Sequence, residues 1–338
     1  MNLIGDHTDY QDGLCLPVAI DREVTVAWSP RPDGKVTARS AAFDGAVTLP
    51  ADGSERPEGW GSTIAAVLEV LHERGRRAVG FDAQIASTIP VGSGLSSSAA
   101  FEVAVALAAA AVAAFPVAGR ELALAAQEAE HRATGVPCGV MDQMAAVFGV
   151  AGHALLLDCR TLDVEPVPLP SAARIVVVHS GMPRRLAASE YAQRRAACEA
   201  AAARLGLRTL RDAAPGQVGD DPIARHVVHE NGRVGAFAAE LRRGDLDACG
   251  RLMLASHASL RDDFRVSTPE LDLLVELAMQ HGALGARLTG AGFGGCIVAL
   301  VPAELDITAA LAARYRARTG LDASAFPVEA VGGAGEAG

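Results

Sequence analysis

One eleven-residue segment constrains the fold more than any other part of the sequence: PVGSGLSSSAA at positions 90–100. It follows an alternating stretch, 79–87, that predicts a strand, and it leads into an alanine-rich stretch, 97–115, that predicts a helix. Glycines let the backbone turn tightly and aim its N–H groups inward, and the helix adds its positive N-terminal end. A glycine- and serine-rich N-cap would explain a shorter pattern. The full pattern predicts a loop that binds phosphate groups.

Two common ATP sites are excluded by the same region. The segment has no Gly-Lys-Ser/Thr after its glycines, so it is not a Walker A loop. Lys35 is the only lysine of the chain, and it follows a predicted turn instead of lying in a Val-Ala-Ile-Lys strand of the protein-kinase type. A nucleotide held here therefore needs a different kind of site.

Length and charge limit the class of protein and of partner. The chain has 338 residues, half of them apolar, which favours two globular domains. A net charge of −10 argues against nucleic acid and anionic membranes, because both attract clustered Lys and Arg. We expect a small-molecule substrate, with neither a nucleic-acid nor a membrane partner.

Cysteine spacing and the N-terminus predict a cytoplasmic location. The six cysteines are scattered along the sequence, in a pattern typical of neither a disulfide framework nor a zinc site. No basic-then-apolar signal pattern opens the chain. The most hydrophobic stretch, 103–119, is mostly alanine and shorter than the roughly 20 residues of a membrane span, so we interpret it as a buried helix.

Hydrophobic periodicity predicts an α+β protein with two domains, 1–170 and 171–338. In the first domain we predict strands and helices, with Pro-Asp-Gly at 32–34 as a hairpin turn between the first two strands. The predicted strands are 23–29, 35–39, 79–87 and 153–158, and the predicted helices are 62–73, 97–115 and 120–132. In the second domain the predicted strands are 174–179, 284–289, 296–301 and 326–331, and the predicted helices are 188–205, 222–243, 245–259, 268–281 and 303–318.

Two further segments have the composition of binding loops. NLIGDHTDYQDGLCLPVAI at 2–20 places Asp6, His7, Thr8 and Asp9 in succession, an inventory of donors and acceptors suited to sugar hydroxyls. A capped turn before a strand at 14–20 explains that segment equally well. LTGAGFGGCIVAL at 288–300 has glycines that permit close backbone approach to a ligand, or a plain turn.

Taken together, the three segments resemble the three signature motifs of the GHMP small-molecule kinases, in the same order and at the same separations. Within that superfamily, GDHTDYQDG is similar to the galactokinase signature Gly-Glu-His-Thr-Asp-Tyr-Asn-Asp-Gly. The resemblance continues along essentially the whole chain. Its further segments are GVMDQ at 139–143, HALLLDCRTL at 153–162, SEYAQRR at 189–195 and SHASLRDDF at 256–264.

The resemblance implies roles for individual residues. Asp142 of GVMDQ matches the family's catalytic base, which takes the proton of the sugar C1 hydroxyl. Ser98 and Glu130 match the Mg²⁺ ligands, and Mg²⁺ prefers oxygen. The implied sugar contacts are Asp6, His7 and Asp9, with Thr8 beside them, and Gly139 and Tyr191. The predicted nucleotide contacts are Gly92, Ser93, Gly94, Leu95, Ser96, Ser97 and Ser98.

The resemblance also implies the fold and the reaction. The implied fold is the GHMP kinase fold, in which an N-terminal α+β domain contains a left-handed βαβ unit and the C-terminal domain is ferredoxin-like. The implied reaction is phosphorylation of α-D-galactose by ATP with Mg²⁺, giving galactose 1-phosphate, by a monomer. Two alternatives stay open: a kinase for another galacto-configured sugar, such as N-acetylgalactosamine or L-arabinose, and a non-catalytic sensor of galactose and ATP.

Two departures from the family pattern bear on these expectations. Asp6 stands where the family has glutamate, a side chain one C–C bond longer, which keeps the sugar alternatives open. The family also has Gly-Arg-Val before Asn-Leu-Ile-Gly, and here Met1 occupies the valine position. We expect a natural start upstream that restores this arginine, with a valine codon read as the initiator. N-terminal sequencing of the native protein checks this, and a natural start at Met1 would contradict it.

Overall fold

The computed structural model describes residues 1–90, 94–182 and 187–336. The predicted nucleotide contacts Gly92 and Ser93 lie outside these ranges. The strands are β1 (Leu14–Cys15), β2 (Val24–Arg31), β3 (Lys35–Ser40), β4 (Phe43–Pro50), β5 (Gly80–Ser87), β6 (His153–Asp158), β7 (Asp163–Pro168), β8 (Ala173–His179), β9 (Gly285–Thr289), β10 (Cys296–Pro302) and β11 (Ser324–Val328). The helices are α1 (Gly61–Glu73), α2 (Ser97–Val112), α3 (Gly119–Thr134), α4 (Met141–Phe148), α5 (Ala187–Arg204), α6 (Pro222–Arg243), α7 (Leu246–Asp262), α8 (Pro269–Gln280) and α9 (Thr308–Thr319).

The chain forms two compact units that are interleaved along the sequence. We call them the helical-layer unit, residues 22–90, 96–149 and 333–336, and the C-terminal-sheet unit, residues 1–21, 94–95, 150–182 and 187–332. The predicted domain boundary near residue 170 remains a prediction.

The helical-layer unit contains a four-stranded sheet in the order β2-β5-β3-β4 and the helices α1 to α4. Strands β3 and β5 are parallel, and the other two pairs are antiparallel. Alternate residues of the central strands, such as Val36 and Phe81, are buried in a core shared with α1, α2 and α3. The parallel pairing of β3 with β5 requires a long connection between these two strands, and β4 and α1 form it.

The predicted hairpin between the first two strands is wrong. A turn does follow β2 at residues 32–34, but β5 lies between β2 and β3 and pairs with both. Arg31 faces Gly80 across one edge of β5, and Val36 faces Phe81 across the other. A local turn signal does not determine whether two strands pair directly or accept a third strand between them.

The C-terminal-sheet unit contains a four-stranded antiparallel sheet in the order β11-β8-β10-β9. Numbered along the chain, this order is 4-1-3-2 with helices between the first and second and between the third and fourth strands, which is the ferredoxin-like arrangement. The predicted ferredoxin-like C-terminal half is confirmed. A smaller sheet, β1-β6-β7, belongs to the same unit.

Several element boundaries differ from the predictions. The predicted strand at 14–20 is regular only over Leu14–Cys15, and α9 begins at Thr308 instead of 303. β4, β7 and α4 were not predicted. In the described ranges, no helix combines the length and the apolar character that crossing a bilayer requires.

Candidate active site

The first motif folds into a compact loop in which Asp6, His7 and Thr8 are almost completely buried. Its backbone turns through left-handed conformations, with φ of 101° at Gly5 and 64° at His7. A Cβ on Gly5 would lie 2.8 Å from the carbonyl oxygen of Leu14, so a side chain does not fit there. The motif is therefore a rigid element of the C-terminal-sheet unit instead of an open turn.

The Asp6 carboxylate joins the first motif to the third. Its Oδ1 accepts a hydrogen bond of 2.8 Å from the backbone N–H of Gly290, and its Oδ2 accepts one of 3.0 Å from Nδ2 of Asn2. The Arg287 guanidinium lies 2.5 Å from Oδ2. Both carboxylate oxygens of Asp6, a predicted sugar contact, therefore bond to other groups of the protein.

His7 makes a second link to the same loop. Its Nε2 lies 3.2 Å from the carbonyl oxygen of Ala291, which only accepts, so Nε2 carries the proton and Nδ1 accepts from the Tyr10 hydroxyl at 2.9 Å. Burial lowers the pKa of His7 to about 3. The Tyr191 ring lies 5.7 Å from the His7 ring, so the structure brings these two predicted sugar contacts together.

Thr8 and Asp9 differ in exposure. The Thr8 hydroxyl is buried within hydrogen-bond distance of two carbonyl oxygens, 2.7 Å from that of Gly5 and 2.8 Å from that of Leu14. Asp9 is half-buried and begins a short 3-10 helix, Asp9–Gln11. The buried hydroxyl of Thr8 thus stabilises the loop, while Asp9 lies nearer the surface of the loop.

Behind the first motif lies a buried polar layer that the sequence predictions missed. Glu230 accepts hydrogen bonds from the backbone N–H of Gly5 at 3.0 Å and from the Ser256 hydroxyl at 2.6 Å. Burial alone would raise the pKa of this carboxyl, but the charges of Arg233, His226 and Arg287 and the hydrogen bond from Ser256 together outweigh it and lower the pKa to about 2. Glu230 is therefore held in its charged form, and this carboxylate supports the first motif.

The segment SHASLRDDF supplies much of this layer. Ser256 binds Glu230, and Ser259 lies 3.0 Å from Nδ1 of His226, whose Nε2 lies 3.2 Å from the Asp6 carbonyl oxygen. The ring of Phe264 lies 4.6 Å from the rings of both His226 and His7. This segment has a family match but no predicted role, and the structure places it against the first motif.

The glycine-rich loop of the third motif has an unusual backbone. Gly290, Gly292, Gly294 and Gly295 all have left-handed φ, between 80° and 113°, and so does Phe293, at 58°. A Cβ on Gly292 would come within 2.4 Å of the Val266 carbonyl oxygen. Glycine is therefore required here for both conformation and space.

The described part of the phosphate loop also turns through left-handed conformations, with φ of 76° at Gly94 and 60° at Ser96. Helix α2 begins at Ser97, and the Ser96 side chain does not cap its first turn. Ser98, the predicted metal ligand, is exposed. Among the described residues, the N-cap position therefore lacks the side-chain cap that the plain N-cap interpretation requires, and the first-turn amides suit an anion.

The remaining predicted residues lie in the helical-layer unit, on α3, α4 and the loop between them. Asp142 is half-buried in the first turn of α4. Glu130 lies on α3, and its Oε2 accepts hydrogen bonds from Nε2 of Gln143 at 2.6 Å and from Sγ of Cys138 at 3.1 Å. Burial raises the pKa of Glu130, and the negative charge of Asp142 raises it further. Glu130 and Asp142 therefore share one acidic neighbourhood.

The loop that carries buried Gly139 is fixed from α3. The carbonyl oxygen of Cys138 accepts hydrogen bonds from Nε2 of Gln127 at 3.1 Å and from Nε2 of His131 at 2.9 Å. The far end of α4 is held by the C-terminal segment, since the backbone N–H of Ala334 donates to the carbonyl oxygen of Ala146 at 2.7 Å. Both ends of α4, and with them Asp142, are thereby positioned.

The predicted residues thus form two groups, one in each unit. Reasoning from the sequence missed Arg287, Glu230 and Glu102. A signal existed for two of them: Arg287 interrupts a strand buried along its whole length, and Glu102 interrupts an apolar helix one turn after Ser98. A charge in such a place requires a partner.

Comparison with known proteins agrees with this geometry. The chain matches the models of the GHMP kinases N terminal domain over residues 62–150 and of the GHMP kinases C terminal over residues 237–317. Residues 1–30 match the galactokinase galactose-binding signature.

Curated relatives and solved structures give the same result. The chain is 46% identical to a galactokinase of Roseiflexus sp. (strain RS-1), covering 99% of this chain and 90% of the relative. It is 47% identical to a galactokinase of Chloroflexus aurantiacus, covering 95% and 87%. The structure of Lactococcus lactis galactokinase complexed with galactose superposes with a TM-score of 0.94 at 34% identity, covering 99% and 92%. A mevalonate kinase at 18% identity shares the fold, with a TM-score of 0.71. The chain is a GHMP kinase and belongs to the galactokinase family.

Proposed function

We propose that the chain transfers the γ-phosphoryl group of ATP to the C1 hydroxyl of α-D-galactose, giving galactose 1-phosphate and ADP. Kinases of this family use ATP as the phosphate donor. The observation that carries the choice of sugar is the first motif: residues 1–30 match a galactose-binding signature, and the motif is folded as a rigid, supported loop. The solved galactokinase with a TM-score of 0.94 is itself a complex with galactose.

The proposed chemistry uses Asp142 as the base. The C1 oxygen attacks the γ-phosphorus, the bond from that phosphorus to the β,γ-bridging oxygen breaks, and the proton of the C1 hydroxyl passes to the Asp142 carboxylate. A positioned base of this kind contributes roughly 10²–10⁴-fold. Its half-buried place in the first turn of α4, held at both helix ends, supports the role.

The proposed metal site consists of Ser98 and Glu130. Within the described ranges, no group of three or more His, Cys, Asp or Glu side chains is arranged to hold a metal. Mg²⁺ does not require such a group, because it is commonly bound by one or two protein oxygens together with phosphates and water. The residues present suit it, since the Glu130 carboxyl lies near the negative charge of Asp142 and, in the described part of the chain, forms no ion pair. When bound, Mg²⁺ would neutralise charge on the β- and γ-phosphates.

The sugar contacts are proposed at His7, Asp9, Gly139 and Tyr191. The predicted contacts of Asp6 and Thr8 remain predictions, and the protein bonds of their polar atoms support a role in holding the loop as well. For the nucleotide we propose the loop 92–98 and the first-turn amides of α2.

A panel of sugars tested by coupled ADP release checks the proposal. We expect galactose to be turned over faster than N-acetylgalactosamine or L-arabinose, and equal or faster turnover of either would overturn the choice of sugar. Asp142→Asn is expected to lower kcat by at least about 10²-fold. Glu121→Gln, an exposed carboxylate in the first turn of α3, is the matched control. Unchanged turnover in Asp142→Asn would refute its role as the base.

A further inference from the structure

A buried glutamate on α2 has no place in the chemistry described so far. Glu102 is 1% exposed and lies in the alanine-rich part of the helix. In the described part of the chain its carboxylate receives one side-chain hydrogen bond, 3.1 Å from Nε2 of Gln143, and no ion pair. Burying a carboxylate costs several kcal/mol when it is not fully paired, so its retention calls for a use.

The Gln143 amide connects Glu102 to the proposed metal ligand. Gln143 is completely buried, and its Nε2 also donates to Oε2 of Glu130, at 2.6 Å. An amide nitrogen has two hydrogens, so both are committed to carboxylates. The amide oxygen of Gln143 has no hydrogen-bond partner in the described part of the chain, so the bonds of its nitrogen to the two acidic groups are the contacts that hold its orientation.

The same contacts join the three helices that carry the proposed groups. Glu102 follows Ser98 by four residues on α2, so the two lie on one helix face. Glu130 lies on α3, and Gln143 directly follows Asp142 on α4. One amide therefore links all three helices within the helical-layer unit.

We propose that Glu102 is a positioning residue: its carboxylate orients the Gln143 amide, which in turn holds the Glu130 carboxylate and the first turn of α4. This inference rests on the proposed function, because Glu102 is proposed to act through Glu130 and Asp142, whose roles belong to that function. Residues that orient a metal ligand typically contribute roughly 10–100-fold to metal affinity or activity.

The test measures metal ligation instead of turnover. Calorimetry gives the affinity for a non-hydrolysable ATP analogue with and without Mn²⁺, and the ratio of the two affinities reports the contribution of the metal ligands. Glu102→Leu is expected to lower this ratio by about tenfold or more. Glu102→Gln is expected to restore most of it, because the amide oxygen of glutamine can accept the same bond from Gln143.

Two controls separate positioning from a loss of stability. Val103→Ala truncates a buried side chain at the next position of α2 and is expected to lower the unfolding temperature while leaving the ratio unchanged. Glu102→Leu is expected to cause no further loss in a Gln143→Leu background, since Glu102 acts through that amide.

The outcomes distinguish this inference from the proposed function. If Glu130→Gln leaves the ratio unchanged, the proposed metal site is wrong. If Glu130→Gln lowers the ratio but Glu102→Leu does not, or if the Glu102 and Gln143 effects add independently, the role of Glu102 is wrong and the metal site stands.

Discussion

Arg287 and Asp6 form an ion pair of 2.5 Å in which both side chains are almost inaccessible to solvent. Removing one partner of a buried pair leaves an uncompensated charge, which typically costs about 3–5 kcal/mol. We expect Arg287→Met to lower the free energy of unfolding by that amount, measured by urea denaturation.

An exposed pair provides the control. Arg316 and Asp322 lie 3.1 Å apart with most of each side chain in solvent, and such pairs contribute less than about 1 kcal/mol. Arg316→Met is therefore expected to change the stability little. Equal effects of the two arginine variants would mean that the buried pair does not support the first motif.

The contact between α7 and β9 depends on two glycines. A Cβ on Gly250 would lie 1.9 Å from the carbonyl oxygen of Leu284, and one on Gly285 would lie 2.4 Å from Cα of Gly250. Gly250→Ala is expected to destabilise the protein by at least about 2 kcal/mol, although alanine favours helices, because overpacking costs about 1–3 kcal/mol or more.

Gly232 on α6 offers the opposite case. It is exposed, and a Cβ there would meet no atom within 4 Å. Gly232→Ala is expected to stabilise by about 0.5–1 kcal/mol, the ordinary helix preference. Thermal unfolding of Gly250→Ala and Gly232→Ala checks both predictions. Destabilisation of equal size in the two variants would contradict the close packing of α7 on β9.

The buried His226 predicts a pH dependence of stability. Burial lowers its pKa to about 4, with Glu230 acting against this and Arg233 reinforcing it. A histidine in the unfolded chain has a pKa near 6.5, so between pH 6.5 and 4 the unfolded state binds more protons. The contribution of His226 to the free energy of unfolding is therefore fully present above pH 6.5, and it is lost as the pH is lowered towards 4.

A glutamine in its place isolates this contribution. In His226→Gln the amide can still donate to the Asp6 carbonyl oxygen but does not titrate. Between pH 6.5 and 4, we expect the slope of the unfolding free energy against pH to be shallower in the variant by about 1.4 kcal/mol per pH unit. This value corresponds to the uptake of one proton on unfolding. Identical slopes in the two proteins would show that His226 is not held neutral.

Much of the fold was predictable because it is recorded in local periodicity. The long helices α6, α7 and α8 and the strands β8, β9 and β10 were predicted to within about three residues at each end. The three helices are amphipathic, and β10 is continuously apolar. The short α4 was missed because eight residues give too little periodicity. The insertion of β5 between β2 and β3 is a long-range pairing, which a local turn signal at 32–34 does not contain.

The candidate site was predictable in its motifs and not in its support. The family resemblance predicts roles for Asp6 and Glu130, but the sequence does not show that Asp6 pairs with Arg287 or that Glu130 bonds to Gln143. Those partners lie 281 and 13 positions away, and only the folded chain shows which polar groups are buried together. The buried support of a binding loop is therefore the part that a single sequence reveals least.

The most direct test of the central claim is the identity of the product. Incubation with ATP, Mg²⁺ and galactose, followed by ³¹P–¹H correlation NMR, shows which sugar proton is coupled to the new phosphate. Our account predicts coupling to the anomeric proton, and its loss in Asp142→Asn. Coupling to a proton at another carbon, or ADP release without a sugar phosphate, would contradict it.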